Sequence, residues 1–244
     1  MIRGILVVLF MCWHYIINTN GRRKYRVDDK ELDTQQKKIY GEKIYRIMQS
    51  FSRGVVKASG SKVIIKGEEN LEGVGGGVLY MSNHLGFFDA PVTAMVIDDP
   101  LIYIGKDDIK KMPIVSTWFE AIGSIYMDRD DIRKSMLSIQ KGIEELKAGQ
   151  SVIVFPEGTR SKDGNVGEFK AGTFKLATKS KCSIVPIAIK NTELIFEKNG
   201  KKIKPATVFV NIGKPVHLSD LSKEEIKNLP KYIEDYVKEL LQEI

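Results

Sequence analysis

Val78-Leu79-Tyr80-Met81-Ser82-Asn83-His84-Leu85-Gly86-Phe87-Phe88-Asp89 is an apolar run that stops at a polar turn. The run is short and comes after the loop Gly75-Gly76-Gly77, so Val78 to Ser82 reads as a buried strand. Ligands in open α/β sheets bind at strand ends, which makes the polar turn after Ser82 a candidate site. His84 and Asp89 are five positions apart. On a helix they would be rotated about 140° from each other; on a strand they would face opposite ways. They meet only if the chain turns between them, and Gly86 makes a turn easy. Asp89 before Ala90-Pro91 equally reads as a helix N-cap with Pro in the first turn. From this stretch alone, a functional pair and a capping Asp beside a loop His both stay open.

Further apolar runs lie on either side: Val63 to Gly67, Ile102 to Ile104, Ser124 to Met127, Ser151 to Phe155, Ile184 to Ile189 and Thr207 to Ile212. Helical stretches separate several of them. From Arg133 to Ala148, Met136, Leu137, Ile139, Ile143 and Leu146 recur at helical spacing. Alternating strands and helices predict an α/β sheet with helices on its faces. Near the C-terminus Ser222-x-x-Glu225 forms a capping box. Ile226, Leu229, Ile233, Tyr236, Val237 and Leu240 then form a stripe, which Pro230 interrupts or whose start it moves. No internal repeat or low-complexity tract is present.

The chain has 244 residues and a formal net charge of +7, with two Cys and three His. That length buries a core without disulfides or structural metal. Two Cys exclude a disulfide scaffold and a four-cysteine zinc site, and three scattered His argue against an all-His metal centre. The charge points to an anionic partner: nucleic acid, a membrane surface or a phosphorylated substrate. Neither GxxxxGK[ST] nor a GxGxxG before a helix is present, which argues against nucleotide binding. No RNA- or DNA-binding pattern appears either.

Gly4 to Ile17 reads GILVVLFMCWHYII. As a helix it would be roughly 21 Å long against roughly 30 Å of hydrocarbon, short for a span. Trp13 and Tyr15 suit the membrane interface, and the basic cluster Gly21 to Arg26 suits anionic headgroups. No small-x-small cleavage site comes after it, which argues against a signal peptide; a buried core helix is the other alternative. The preferred reading is an uncleaved anchor that dips into or spans the membrane, with its basic flank cytoplasmic. From Asp33 to about Lys57, Ile39, Tyr40, Ile44, Ile47, Met48, Phe51 and Val55 predict an amphipathic helix, either on the membrane surface or packed on the domain. Residues 1–58 are thus expected to serve membrane attachment, and 59–244 to form one catalytic domain.

If His84 and Asp89 meet, Asp89 holds the imidazole in one tautomer and His84 takes a proton from a hydroxyl. There is no GxSxG elbow, Cys12 lies in the apolar N-terminus, and Cys182 opens a buried-looking run. The hydroxyl to be activated is therefore the substrate's. A second polar cluster, Phe155-Pro156-Glu157-Gly158-Thr159-Arg160-Ser161, also comes at the end of a strand. Arg160 offers a planar fork for phosphate, and Gly158 lets backbone N–H groups approach a ligand. A third is Gly123 to Arg129, ending in Asp128-Arg129; Phe169-Lys170-Ala171-Gly172 and Val185-Pro186-Ile187 complete the series.

Taken in order, NHxxxxD, GxxxxDR, FPEGTRS with FKxG, and VPIA resemble the glycerolipid acyltransferase family, most of all its bacterial 1-acylglycerol-3-phosphate acyltransferases. The resemblance covers roughly residues 60 to 215. Tyr126-Met127 departs from the Phe-Ile or Phe-Val common there. The resemblance implies a mixed, mostly parallel sheet flanked by helices, preceded by a two-helix membrane-associating motif on the cytoplasmic face of the cell membrane. It implies transfer of a fatty acyl group from acyl-carrier protein or coenzyme A to the sn-2 hydroxyl of lysophosphatidic acid, giving phosphatidic acid. In it, His84 is general base and Asp89 its orienting partner. Asn83, Lys106, Arg129, Glu157, Gly158, Thr159 and Arg160 bind the glycerol-phosphate part, and a backbone N–H of the turn stabilises the oxyanion. No metal or other cofactor is implied. Partners would be the lysolipid, anionic headgroups and the thioester donor. Rival readings are a different acceptor, such as a lyso-ornithine lipid or glycerol 3-phosphate, and a non-catalytic protein that binds anionic lipid.

Overall fold

The apolar runs become the strands of one seven-stranded sheet: β1 (Lys62–Lys66), β2 (Leu79–Ser82), β3 (Leu101–Lys106), β4 (Ile125–Met127), β5 (Ser151–Val154), β6 (Ile184–Lys190) and β7 (Thr207–Ile212). The structure, a computed structural model, describes residues 2–28 and 31–244. The order across the sheet is β1-β7-β6-β2-β5-β3-β4. Every neighbouring pair is parallel except β6 with β7, so the sheet is mixed and mostly parallel, as the resemblance implied. All four residues of β2 and of β5 are buried, which explains runs apolar throughout rather than alternating. Alternation survives as a division of labour. Leu79 and Met81 of β2 enter one hydrophobic cluster, and Tyr80 enters the other.

The helices are α1 (Ile2–Ile17), α2 (Thr19–Tyr25), α3 (Thr34–Ser59), α4 (Asp89–Val96), α5 (Pro113–Ala121), α6 (Ile132–Lys147), α7 (Lys175–Ser180), α8 (Lys223–Lys227) and α9 (Leu229–Gln242). Tyr45 and Phe51 of α3, Val92 of α4 and Trp118 of α5 pack on the Tyr80 side. Ile143 of α6, Leu176 of α7 and Ile233 of α9 pack on the other. The Ser222–Glu225 capping box opens α8 as read, and Pro230 starts a separate helix, α9, in its first turn. There its missing N–H costs no intrahelical bond.

The N-terminus departs from its sequence reading in one respect. No single described helix is long and apolar enough to cross a membrane; α1 and α2, bent by 59°, pass that test only as a pair. Ile2, Ile5, Leu9, Trp13, Ile16 and Ile17 of α1 are exposed, while Val7 and His14 face inward. The basic cluster expected to meet headgroups is largely helix α2, and Arg22 is buried. Its guanidinium lies 3.8 Å from the Tyr15 ring centroid and donates to the Tyr15 carbonyl at 3.0 Å. Arg22 therefore ties α2 to α1 and is taken from the headgroup-binding set.

Contact between α1 and α3 is set by a missing side chain. A Cβ on Gly54 would stand 1.8 Å from the Phe10 ring, so the ring lies directly on the α3 backbone. Alanine in a helix usually gains about 0.5–1 kcal/mol over glycine, whereas overpacking costs about 1–3 kcal/mol. Gly54→Ala is expected to destabilise by up to about 2 kcal/mol and to make α1 more sensitive to protease. Chemical denaturation and limited proteolysis measure both, and a stabilised variant would contradict this contact.

Candidate active site

β2 lies between β6 and β5, with Met81 paired to Val154 and to Pro186. The polar turn after β2 thereby meets the loops after β5 and β6. Asn83 continues the β2–β6 pairing with its side chain. Its Nδ2 donates to the Ile189 carbonyl and its Oδ1 accepts from the Ile189 N–H, both at 2.8 Å. Asn83 is fully buried with both amide atoms taken. Its side chain fixes the turn to β6.

His84 is gripped at the backbone from both sides by the loop after β5. Its N–H donates to Glu157 Oε1 at 2.7 Å, and its carbonyl accepts from the Ser161 N–H at 2.7 Å. Its ring stacks on Phe155 at 4.3 Å between centroids. The second oxygen of Glu157 accepts the Gly167 N–H at 2.9 Å. Burial pushes the Glu157 carboxyl above its usual range, opposed by those two N–H bonds. Glu157 is buried and both its carboxylate oxygens accept backbone N–H groups, so it braces the site. The tight turn that aims it depends on Gly158, whose φ of 74° is left-handed and favours glycine.

The chain does turn between His84 and Asp89. His84 Nδ1 lies 2.6 Å from Asp89 Oδ2, which also accepts the N–H groups of Leu85 at 2.7 Å and Gly86 at 2.9 Å. Asp89 is the first residue of α4, preceded by Phe88 at the cap position. Its carboxylate turns back into the loop instead of capping the helix, which resolves the two readings left open by the sequence. An acceptor at Nδ1 makes that nitrogen the donor, and Nε2 is left with a lone pair. The His84 side chain is 22% exposed. No Ser, Thr or Cys hydroxyl or thiol among the described residues bonds its ring, so the arrangement is a dyad open to an external hydroxyl.

Two residues outside every motif complete the turn. The Thr192 hydroxyl donates to Asp89 Oδ1, and both groups are fully buried. Glu197 Oε1 accepts the Phe87 N–H at 2.8 Å and Arg160 Nη1 at 3.1 Å. The N–H groups of His84, Leu85, Gly86 and Phe87 thus all have carboxylate acceptors in this structure. A Cβ at Gly86 would stand 2.6 Å from Glu197 Oε2 and would displace the end of that side chain. Thr192 and Glu197 lie beyond β6 in short helical turns, more than 100 positions after His84. No local pattern marks them.

The remaining expected ligands are spread along the same sheet edge. Arg160 sits 4.1 Å from the Phe87 ring centroid, beside the dyad turn. Thr159 is exposed and makes no side-chain hydrogen bond among the described residues. Lys106, at the end of β3, pairs with Asp108 at 2.8 Å. Arg129, beyond β4, is half-buried, and burial draws its guanidinium below the usual range. Neither Lys106 nor Arg129 bonds the dyad. Among the described residues no carboxylate pairs with Arg129, which keeps it available to an anion.

An acyltransferase family model matches residues 62–190, the segment from β1 through β6. The chain belongs to the acyltransferase family. It is 30% identical over 186 residues to a 1-acyl-sn-glycerol-3-phosphate acyltransferase of Borreliella burgdorferi, covering 76% of this chain and 74% of that one. It is 36% identical over 157 residues to a chloroplastic 1-acyl-sn-glycerol-3-phosphate acyltransferase of Arabidopsis thaliana, but spans only 44% of its length. Among solved structures, the 1-acyl-sn-glycerophosphate (LPA) acyltransferase of Thermotoga maritima superimposes with a TM-score of 0.76 at 26% identity. The match covers 99% of this chain and 97% of that one.

A hydrogen bond to a charged group is worth about 1.5–3 kcal/mol. Thr192→Val strips Asp89 of one such bond, so kcat is expected to fall about ten-fold or more, with recovery in Thr192→Ser. Steady-state kinetics of both variants provide the check; equal losses in the two would remove Thr192 from the positioning of Asp89.

Proposed function

We propose that this acyltransferase moves a fatty acyl group from a thioester donor to the sn-2 hydroxyl of lysophosphatidic acid, forming phosphatidic acid. The observation that carries the reading is the His84–Asp89 pair, with Nδ1 engaged at 2.6 Å and Nε2 without a hydrogen-bond partner among the described residues. His84 Nε2 takes the proton of the acceptor hydroxyl while Asp89 stabilises the imidazolium. The acceptor oxygen bonds to the thioester carbonyl carbon, and the C–S bond breaks as the tetrahedral adduct collapses. The thiolate leaves with the proton returned from His84. The donor is already activated, so no acyl-enzyme forms, and the step calls for no cofactor. Arg160 presents its guanidinium fork to the acceptor phosphate, with Arg129 and Lys106 adding positive potential along the same edge. Coenzyme A and acyl-carrier protein are both anionic, and a chain of charge +7 attracts either.

Helices α1 and α2 attach the catalytic unit, into whose core α3 packs, to the cytoplasmic face of the membrane. The support is the exposed apolar face of α1 next to its buried one, which suits a helix lying in the interface.

General-base loss typically costs about 10² to 10⁴ in rate. His84→Ala should lose that much acyl transfer while keeping its fold and its binding to anionic vesicles. Turnover near that of the parent protein, read as thiol release, would sink the mechanism. Arg160→Ala should mainly raise KM for the phosphorylated acceptor. A panel of lysophosphatidate, glycerol 3-phosphate and a lyso-ornithine lipid, run with both donors, identifies the pair that turns over; preference for an acceptor without phosphate would overturn the assignment.

A further inference from the structure

Glu197 is a carboxylate standing in an anion's place. Its Oε1 collects two donors of the kind a phosphate oxygen takes, a backbone N–H from Phe87 at 2.8 Å and a guanidinium N–H from Arg160 at 3.1 Å. Its Oε2 is buried against Gly86 and has no hydrogen-bond donor among the described residues. Leaving a buried carboxylate oxygen unpaired is costly, so nothing but the Arg160 and Phe87 contacts favours the position. The dyad does not use Glu197, since Asp89 and Glu157 supply every carboxylate contact to His84.

The segment that bears Glu197 is anchored elsewhere. Thr192 and Ile195 are fully buried, and Lys204 N–H donates to the Ile195 carbonyl at 2.9 Å. Glu197 itself heads a three-residue turn and keeps part of its side chain exposed. Rotation about its side-chain bonds releases both donors without moving the backbone that carries Thr192. Its release would leave two unoccupied donors beside the dyad turn, on the side where Arg160 meets the Phe87 ring.

We infer that Glu197 is an internal competitor for the acceptor phosphate: it holds Arg160 and the Phe87 N–H in the unliganded enzyme and is displaced when a phosphorylated acceptor binds. It thereby sets acceptor specificity, because a phosphate monoester, with its higher charge and three oxygens, displaces a carboxylate that an uncharged or singly charged headgroup does not. The inference rests on the proposed role of Arg160 as the group facing the acceptor phosphate. When a site is only partly free, apparent affinity falls by the free fraction, so the competitor should be visible in KM.

The test measures KM for lysophosphatidate in the full chain for the parent, Glu197→Gln, Arg160→Ala and the double variant. The expected result is a KM about three- to ten-fold lower in Glu197→Gln, a gain that disappears in the Arg160→Ala background. A damaged fold weakens binding, so a gain separates release of the site from loss of structure. As a readout independent of turnover, glycerol 3-phosphate should protect Glu197→Gln against thermal unfolding at lower concentrations than it protects the parent. An unchanged or raised KM in Glu197→Gln overturns the inference, as does a gain that persists without Arg160. If Arg160→Ala alone leaves KM unchanged, the failure belongs to the phosphate-site reading instead.

Discussion

Everything the site does depends on holding still the two peptide units that flank His84. The N–H of His84 is tied to a buried carboxylate, and its carbonyl is tied to the N–H of Ser161. Both partners come from the loop after β5, which lies beside the turn only because β5 is the parallel neighbour of β2. Burying the Glu157 charge is unfavourable by itself, as its raised pKa shows. Two backbone N–H groups at 2.7 and 2.9 Å offset that cost and make the brace directional. With the backbone fixed, the imidazole has little left to choose. Phe155 sets the plane of the ring, and Asp89 sets its tautomer.

The same logic extends outward in layers. Asp89 is held by three N–H or O–H donors besides the imidazole: Leu85, Gly86 and Thr192. Together they hold the carboxylate in the orientation that meets His84 Nδ1. Asn83 locks the turn to β6, and Thr192 reaches back from just past the end of β6. The turn is thus clamped between its two strand neighbours, with the loop of one on either side. Such a rigid centre contrasts with the sheet's outer edge at β3 and β4, where exposed ion pairs such as Lys106 with Asp108 and Lys134 with Asp128 are weak and screened by solvent. The outer edge thus carries rearrangeable charge, while the turn at the centre is fixed.

At the other end of the chain, α1 shows how one apolar helix can be buried on one face and exposed on the other. Phe10 rests on the backbone of α3 at Gly54, and His14 is enclosed by Phe10, Phe51 and Trp118. That face belongs to the protein's interior. The opposite face, with Ile5, Leu9 and Trp13, has no protein cover. An apolar segment is plain in the sequence, but its inward face is invisible in a stretch that is apolar all round. The buried position of Arg22 is hidden for a related reason. A cluster of basic residues looks uniform in sequence, yet helix geometry turns one of them toward Tyr15 and Trp118.

By itself the sequence determined the seven strands, the helix before β5, the helix before β1 and the polar turns at strand ends, because hydrophobic period and turn chemistry are local properties. It also singled out His84, Asp89 and Arg160 as candidates, since their residue types are suited to acid–base and anion-binding chemistry wherever they fall. Only the tertiary structure decided that Asp89 serves His84 instead of capping α4, and that Asn83 and Glu157 spend their polar atoms on backbone. It alone brought Thr192 and Glu197 to the turn. Those outcomes depend on which strands are neighbours and in what register, and a hydrogen bond across more than 100 residues leaves no spacing in the chain to read.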